Sequence, residues 1–172
     1  MTSDYTTDIS KDNEMIDFLI NKKMNSIMGE WRHIAVFVPN LMNAIRLVKQ
    51  VGKSQIAIGI NSDKSLYGNQ YIKTHAEIAA LQKLENMIKN KKIKKLHMDL
   101  IVIRINQSGE LRESGPCYHC TNKLRKNKNI KLNKLYYSRH DGSVSCIKFS
   151  DWFKRDNIHV SKGWRRIIKK VT

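Results

Sequence analysis

Two short segments, about forty residues apart, constrain the fold of this chain more than any other feature. The first contains His75 and Glu77, and the second contains Cys117 and Cys120. Imidazole and thiolate groups are typical zinc ligands, and two cysteines three residues apart at a helix start can point to one place. A fold in which His75 joins both cysteines must therefore bring two distant helix starts face to face.

Metal-assisted hydrolysis explains why these four residues would occur together. A catalytic zinc site needs three protein ligands, one open position and a group that carries protons. His75, Cys117 and Cys120 can supply the ligands, which leaves Glu77 free to act as a general acid and base. The position of both thiols at a predicted helix N-terminus further predicts that the pKa of each is lowered.

Each half of the pattern also has an ordinary explanation. His75 can be a plain first-turn histidine, and Glu77 can be the capping-box partner of Thr74. The two cysteines can form a redox pair or half of a structural zinc site. The third cysteine of the chain stands alone, so no second pair completes a structural site. The joint occurrence of the two halves favours a catalytic zinc site over these alternatives.

Hydrophobic periodicity predicts strands that alternate with helices. Strands are expected over 34–38, 55–60, 96–105, 132–138 and 143–149, helices over 13–28, 40–51, 74–89, 116–126 and 151–157, and a loop over 61–69. Only four residues join the last two strands, and a parallel pair needs a crossover of about a dozen, so these two strands should be antiparallel. Strands separated by helices predict an α/β domain covered on both faces.

The 172 residues suit one compact domain. We expect a flexible acidic tail over 1–12, a single catalytic domain over 13–150 and a basic C-terminal extension over 151–172.

No apolar run approaches the roughly 18 residues of a membrane span, and the N-terminal segment is polar and acidic. These features predict an intracellular, cytoplasmic protein without a membrane partner.

The net charge of +17 is uneven, because residues 121–172 hold fifteen Lys and Arg against three acidic residues. Such a basic surface attracts polyanions, nucleic acid among them. A biased composition explains it equally well, since Lys outnumbers Arg by 23 to 9 and dedicated phosphate readers favour Arg. Trp152, Phe153 and Trp164 could stack on bases, but packing is the favoured prediction for all three.

With its His75-Ala76-Glu77 and Pro116-Cys117-Tyr118-His119-Cys120 segments, the chain resembles the cytidine deaminase superfamily. The resemblance extends from about residue 34 to residue 149. It implies a three-layer α/β/α cytidine deaminase-like fold, with a five-stranded mixed sheet whose last strand is antiparallel. It also implies Zn²⁺ bound by His75, Cys117 and Cys120, with Glu77 as the catalytic acid and base.

The same resemblance implies a substrate-binding set and a homo-oligomer. Asn61 should contact the substrate sugar, and the backbone of Gly115 and Pro116 should contact the amino group of the base, with Ala76 beside them. One departure is the segment 39–54, which separates the first two strands where members of the superfamily have a short hairpin.

The expected enzyme is a zinc-dependent hydrolase that converts a cytosine-type base of a free nucleoside or nucleotide to uracil and releases ammonia. An antiparallel last strand resembles the free-nucleoside branch of the superfamily, which favours a small-molecule substrate. The net charge keeps two alternatives open. One is a deaminase that edits single-stranded DNA or RNA, and the other is an inactive, zinc-bearing nucleic-acid-binding protein, although Glu77 would be superfluous there.

Overall fold

The computed structural model of the chain describes residues 33–39, 57–66, 69–89 and 96–171. Every described residue belongs to the compact unit formed by residues 32–172. The predicted acidic tail and the predicted helices over 13–28 and 40–51 lie outside the described residues. Among the described helices, none has the length and hydrophobicity needed to cross a membrane.

The described part of the chain forms eight strands and four helices. The first half contains β1 (His33–Val38), β2 (Ala57–Ile60), β3 (Ser62–Leu66), β4 (Asn69–Thr74) and α1 (Ala76–Ile88). The second half contains β5 (Leu96–Ile105), β6 (Leu111–Arg112), α2 (Tyr118–Arg125), β7 (Ile130–Ser138), β8 (Val144–Lys148), α3 (Phe149–Trp152) and α4 (Lys162–Val171).

The main sheet is mixed, with the strand order β2-β1-β5-β7-β8 and the two-residue β6 added beside β5. The β5–β7 pair is parallel, whereas the other pairs, including β7 with β8, are antiparallel. The α/β class, the mixed sheet and the antiparallel last strand are therefore confirmed. The five predicted strands form the continuous order, and β6 is a sixth strand that the sequence analysis missed.

Alternating residues of the sheet build the core against α1, α2 and α3. One buried cluster combines residues from the central strands with residues from these three helices, including Ala35, Phe37, Leu100, Val102, Leu135, Tyr137, Ala80, Leu81, Leu124 and Trp152. In β5 the run from Met98 to Ile103 is buried without alternation, as expected of a central strand covered on both faces. This packing fixes α1 and α2 on one face of the sheet.

The segment predicted as a loop, 61–69, contains strands, because its described residues 62–66 and 69 belong to β3 and β4. Strands β3 and β4 pair antiparallel in a separate two-stranded sheet, and α4 contacts β4. The polar composition of this segment favours a loop, but pairing between two backbones does not depend on apolar side chains.

The basic extension also contains more structure than predicted, since α3 begins at Phe149 and α4 follows it. The sequence analysis did not use the helical spacing of Trp164, Ile168 and Val171, which is the pattern that indicates α4.

Helix α1 begins at Ala76, two residues later than predicted. Its N-cap is His75 rather than Thr74, and the side chain of His75 makes no capping bond. Instead, the first helical N–H, that of Ala76, donates to Oδ1 of Asn61 at 2.8 Å. A distant side chain thus satisfies the helix start, and Glu77 lies in the first turn, where it is buried.

Helix α1 packs directly on the backbone of β2 at Gly59. A Cβ at this position would overlap the carbonyl oxygen of Ala76 and the amide nitrogen of Ala80, and it would lie 2.9 Å from the Cα of Ala80. Glycine is the residue that permits so close an approach of two backbones. Gly59 therefore sets the position of the α1 start, and with it the positions of the residues that begin the helix.

Candidate active site

His75, Cys117 and Cys120 converge where the starts of α1 and α2 face each other. Nδ1 of His75 lies 3.5 Å from Sγ of Cys117 and 3.4 Å from Sγ of Cys120. All three donor atoms lie within 4.8 Å of one another. Two ligands on a tetrahedral zinc, at bond lengths of about 2.0–2.3 Å, are roughly 3.5–3.8 Å apart. The donor types and their spacing therefore fit a zinc ion.

Local structure explains why these side chains meet. His75 and Cys117 are the N-caps of α1 and α2, both in extended backbone conformations, and Cys120 follows one turn into α2. The N–H of Thr121 donates to the carbonyl of Cys117 at 2.8 Å, which closes the first turn. Three residues apart on one turn, the two cysteines share a side of the helix. The predicted convergence of the three residues is therefore present.

A buried pair of serines anchors the loop that leads into α2. Ser114 Oγ donates to the carbonyl of Val102 at 2.6 Å and accepts a bond from the N–H of Ser138 at 2.8 Å. Ser138 Oγ donates to the carbonyl of Arg112 at 2.6 Å and accepts from the N–H of Arg104 at 3.1 Å. These bonds tie the loop to β5 and β7. The sequence analysis missed both serines, which resemble ordinary turn and strand residues there.

Trp152 supports the same loop from the side of α3. Its ring lies against the Cα of Gly115, where an added Cβ would overlap it. Its Nε1–H donates to Oγ1 of Thr121 at 3.1 Å, and that hydroxyl donates to the carbonyl of Pro116 at 3.4 Å. Trp152 is buried and Phe153 packs against the same core. For these two aromatics the packing prediction is confirmed.

Glu77 is buried beside the three candidate ligands, with 1% of its surface exposed. Among the described residues, its Oε2 has no hydrogen-bond partner. Burial raises the pKa of this carboxyl to about 7, although the neighbouring His75 opposes the shift. A carboxyl group with a pKa near neutrality can both accept and donate a proton at physiological pH. This property suits the role of general acid and base that was predicted for Glu77.

The two thiols differ in their affinity for protons. A hydrogen bond from the Cys120 thiol lowers the pKa of Cys117 to about 3, and His75 contributes to the shift in the same direction. The same bond, together with burial, raises the pKa of Cys120. The prediction that both values are lowered is therefore wrong for Cys120. Without a metal, the sulfur atoms share one proton, and this pairing outweighs the common effect of the helix N-terminus.

In the metal-free protein, Glu77 should make the folded state less stable as the pH rises from about 4.5 to about 7. The unfolded chain releases this proton near pH 4.5, whereas the folded protein keeps it until about pH 7, so rising pH favours unfolding across that window. Relative to Glu77→Gln, the free energy of unfolding should fall by about 3 kcal/mol there and stay level on either side. Urea unfolding of both reduced proteins across this range measures the effect, and parallel profiles would contradict it.

The residues predicted to bind substrate lie close to the cluster. Asn61 adjoins it through the bond between its Oδ1 and the N–H of Ala76, and its own N–H donates to the carbonyl of His33 at 3.2 Å. Ala76, Gly115 and Pro116 are buried and do not line the cleft described next. Asn61 thus has a structural role that the sequence analysis did not anticipate, and substrate contact by these four residues stays a prediction.

A cleft of about 350 Å³ opens beside the three candidate ligands. The C-terminal extension forms one wall of it, through Trp164 of α4. The indole of Trp164 stacks on the imidazole of His119, with ring centroids 3.6 Å apart and planes 13° from parallel. The N–H of Tyr118 donates to the carbonyl of His159 at 2.9 Å and holds the extension against the start of α2. The extension therefore borders the candidate site, a role that was not predicted.

Comparison with known proteins finds a similar solved structure but no matching family. No family model and no curated protein matches the chain. Among solved structures, the chain is similar to the 1.6 Å crystal structure of cytidine deaminase from Burkholderia pseudomallei, with 15% sequence identity and a TM-score of 0.44. The likeness covers 71% of this chain and 78% of that chain. Neither activity nor substrate follows from a likeness at this identity and TM-score.

Proposed function

We propose that this protein is a zinc-dependent hydrolytic deaminase that acts on a cytosine-type base in a free nucleoside or nucleotide. The observation that carries the proposal is the convergence of His75, Cys117 and Cys120 next to the buried carboxyl of Glu77. Structural zinc sites are closed by four protein ligands, whereas the described residues contribute a group of three. A three-ligand set beside a cleft and a proton carrier is typical of a catalytic site.

Hydrolysis of the amine requires a nucleophile and the movement of protons. A zinc ion held by His75, Cys117 and Cys120 would supply a hydroxide nucleophile at neutral pH, because such a ligand set lowers the pKa of a bound water to about 7. Water adds at C4 of the base, and the amino group leaves as ammonia. Glu77 would take one proton from the attacking water and deliver it to the ring nitrogen N3. It would then move the proton of the new hydroxyl group to the amino group, so that the C–N bond breaks, ammonia leaves and C4 becomes a carbonyl. Its burial beside the three candidate ligands suits this one carboxyl group to both transfers, without a second group.

The position of His75 weighs against a redox role for the two cysteines. Its Nδ1 is within 3.5 Å of both sulfur atoms, so the cysteines share a third donor rather than facing only each other. A thiol–disulfide site requires no such donor, and it has no use for a buried carboxyl group at its side. The same carboxyl group counts against an inactive, zinc-bearing nucleic-acid-binding protein.

A deaminase that edits single-stranded nucleic acid is the second candidate. Its support is the net charge of +17 together with the basic helix α4, which borders the cleft through Trp164. This candidate requires tight binding to single strands that weakens steeply with salt concentration. The antiparallel pairing of β8 with β7 supports the small-molecule substrate instead, by the resemblance described above.

A product assay on purified protein, with zinc measured on the same sample, tests the proposal. The substrates are cytidine, deoxycytidine, deoxycytidylate, guanine, adenosine, and single-stranded DNA and RNA. We expect about one zinc per chain and a uracil product from a cytosine-type nucleoside or nucleotide. Zinc-loaded protein that deaminates none of these substrates would contradict the proposal, and turnover of the strands alone would favour the second candidate.

A further inference from the structure

The cleft beside the candidate metal centre is distinctly basic. Three lysines lie on its wall, namely Lys73 from β4 and Lys123 and Lys126 from the second half of α2 and its C-cap. The described residues that line the cleft include no Asp or Glu. The lysines that line the cleft therefore favour an anionic ligand at the site where the substrate must enter.

Two of these lysines lie on α2, beyond Cys120 in the sequence. Lys123 follows Cys120 by three residues, and Lys126 follows Lys123 by three more. Residues three apart share a side of a helix, so Lys123 and Lys126 lie together on α2, although the two steps from Cys120 to Lys126 turn about 120° around the helix axis. Both lysine side chains are exposed, whereas Cys120 is buried. Lys123 and Lys126 therefore form a row of exposed cations on the part of α2 that lines the cleft.

The helix dipole alone does not explain this arrangement. Lysines near a helix C-terminus stabilise it, which accounts for Lys123 and Lys126 on α2. Lys73, however, comes from β4, which belongs to the separate two-stranded sheet. Its presence on the same cleft wall shows that the positive charge gathers at the cleft and not merely at one helix end.

We propose that Lys73, Lys123 and Lys126 form a phosphate subsite, so that the substrate is a nucleotide rather than an uncharged nucleoside. This inference rests on the proposed deaminase function. A base held at the metal cluster would place its sugar and phosphate along the lysine row. Lysine binds phosphate as a point charge, without the two-pronged geometry of arginine. The cleft volume of about 350 Å³ is near the lower limit for small-ligand pockets, which favours a single nucleotide over a strand.

Paired substrates and paired variants test the subsite. The zinc-loaded full chain is assayed with cytidine, deoxycytidine, their 5′-monophosphates and a single-stranded oligonucleotide that contains cytosine. The double variant Lys123→Gln/Lys126→Gln removes the row, and Lys128→Gln/Lys131→Gln removes two exposed lysines that do not line the cleft. We expect wild-type kcat/KM to be about tenfold or more higher for a monophosphate than for its nucleoside. This ratio should collapse toward one in the first variant and stay unchanged in the second.

The other possible results of these assays distinguish failure of the phosphate subsite from failure of the deaminase proposal. Equal kcat/KM for nucleoside and monophosphate, or a ratio that survives Lys123→Gln/Lys126→Gln, would overturn the phosphate subsite and leave the deaminase proposal standing. A preference for the oligonucleotide over both monophosphates would overturn the single-nucleotide substrate. If no substrate is turned over, calorimetric titration with deoxycytidine 5′-monophosphate separates the two proposals. Binding that depends on the row would support the subsite and reject the deaminase, and the absence of binding would reject both.

Discussion

Replacement of Glu77 by Gln should leave zinc bound and lower kcat by about 10²–10⁴-fold. The amide has nearly the same shape as the carboxyl group but cannot carry the proton between water and base. Zinc should remain, because the three converging donor atoms belong to His75, Cys117 and Cys120. Zinc content and kcat are measured on one preparation, with the best substrate from the product assay.

Glu85→Gln on the same helix is the matched control for Glu77→Gln. Glu85 accepts a hydrogen bond from Asn127 at 2.7 Å and does not line the cleft. This control should therefore keep its zinc, with kcat within about twofold of wild type. A Glu77→Gln protein with unchanged kcat would exclude the mechanism. Loss of zinc from that variant would show that Glu77 helps to hold the metal rather than to transfer protons.

Substitution of Gly59 by Ala should destabilise the protein by about 3 kcal/mol or more and impair zinc binding. The added Cβ would occupy the positions of backbone atoms of Ala76 and Ala80, so α1 must move away from β2. Flexible side chains cannot relieve this overlap, because the atoms that collide belong to the helix backbone. Since His75 is the N-cap of α1, displacement of the helix separates its imidazole from the two cysteines. Urea unfolding and zinc content measure the two effects.

Gly109→Ala provides the comparison for this substitution. Gly109 has a positive φ of 82°, and a Cβ there would meet no atom within 4 Å. The cost should be that of a strained backbone alone, about 1–2 kcal/mol, with zinc retained. If Gly59→Ala unfolds at the same urea concentration as Gly109→Ala and keeps its zinc, then α1 does not pack on β2 as closely as described.

Local sequence patterns were sufficient to predict much of the main sheet. The bounds of β5 agree with the prediction over 96–105, since an apolar run such as 100–103 in its middle is typical of a strand buried on both faces. The direction of β8 followed from the short turn at Asp141 and Gly142, where four residues cannot cross the sheet. By contrast, the pairing of β3 with β4 was missed, because polar residues carry no periodic signal.

The sequence by itself determined the chemistry of the candidate site, namely two cysteines one helical turn apart, a histidine and a glutamate two residues after it. Only the tertiary structure decided what surrounds them. It buried Glu77, which raises the pKa of its carboxyl group, and it paired the two thiols, which lowers the pKa of Cys117 and raises that of Cys120. It also brought Trp164 and Lys73 to one cleft from distant segments. Spacing along the chain determines which residues share a helix face, whereas burial and charge depend on contacts between segments far apart in sequence.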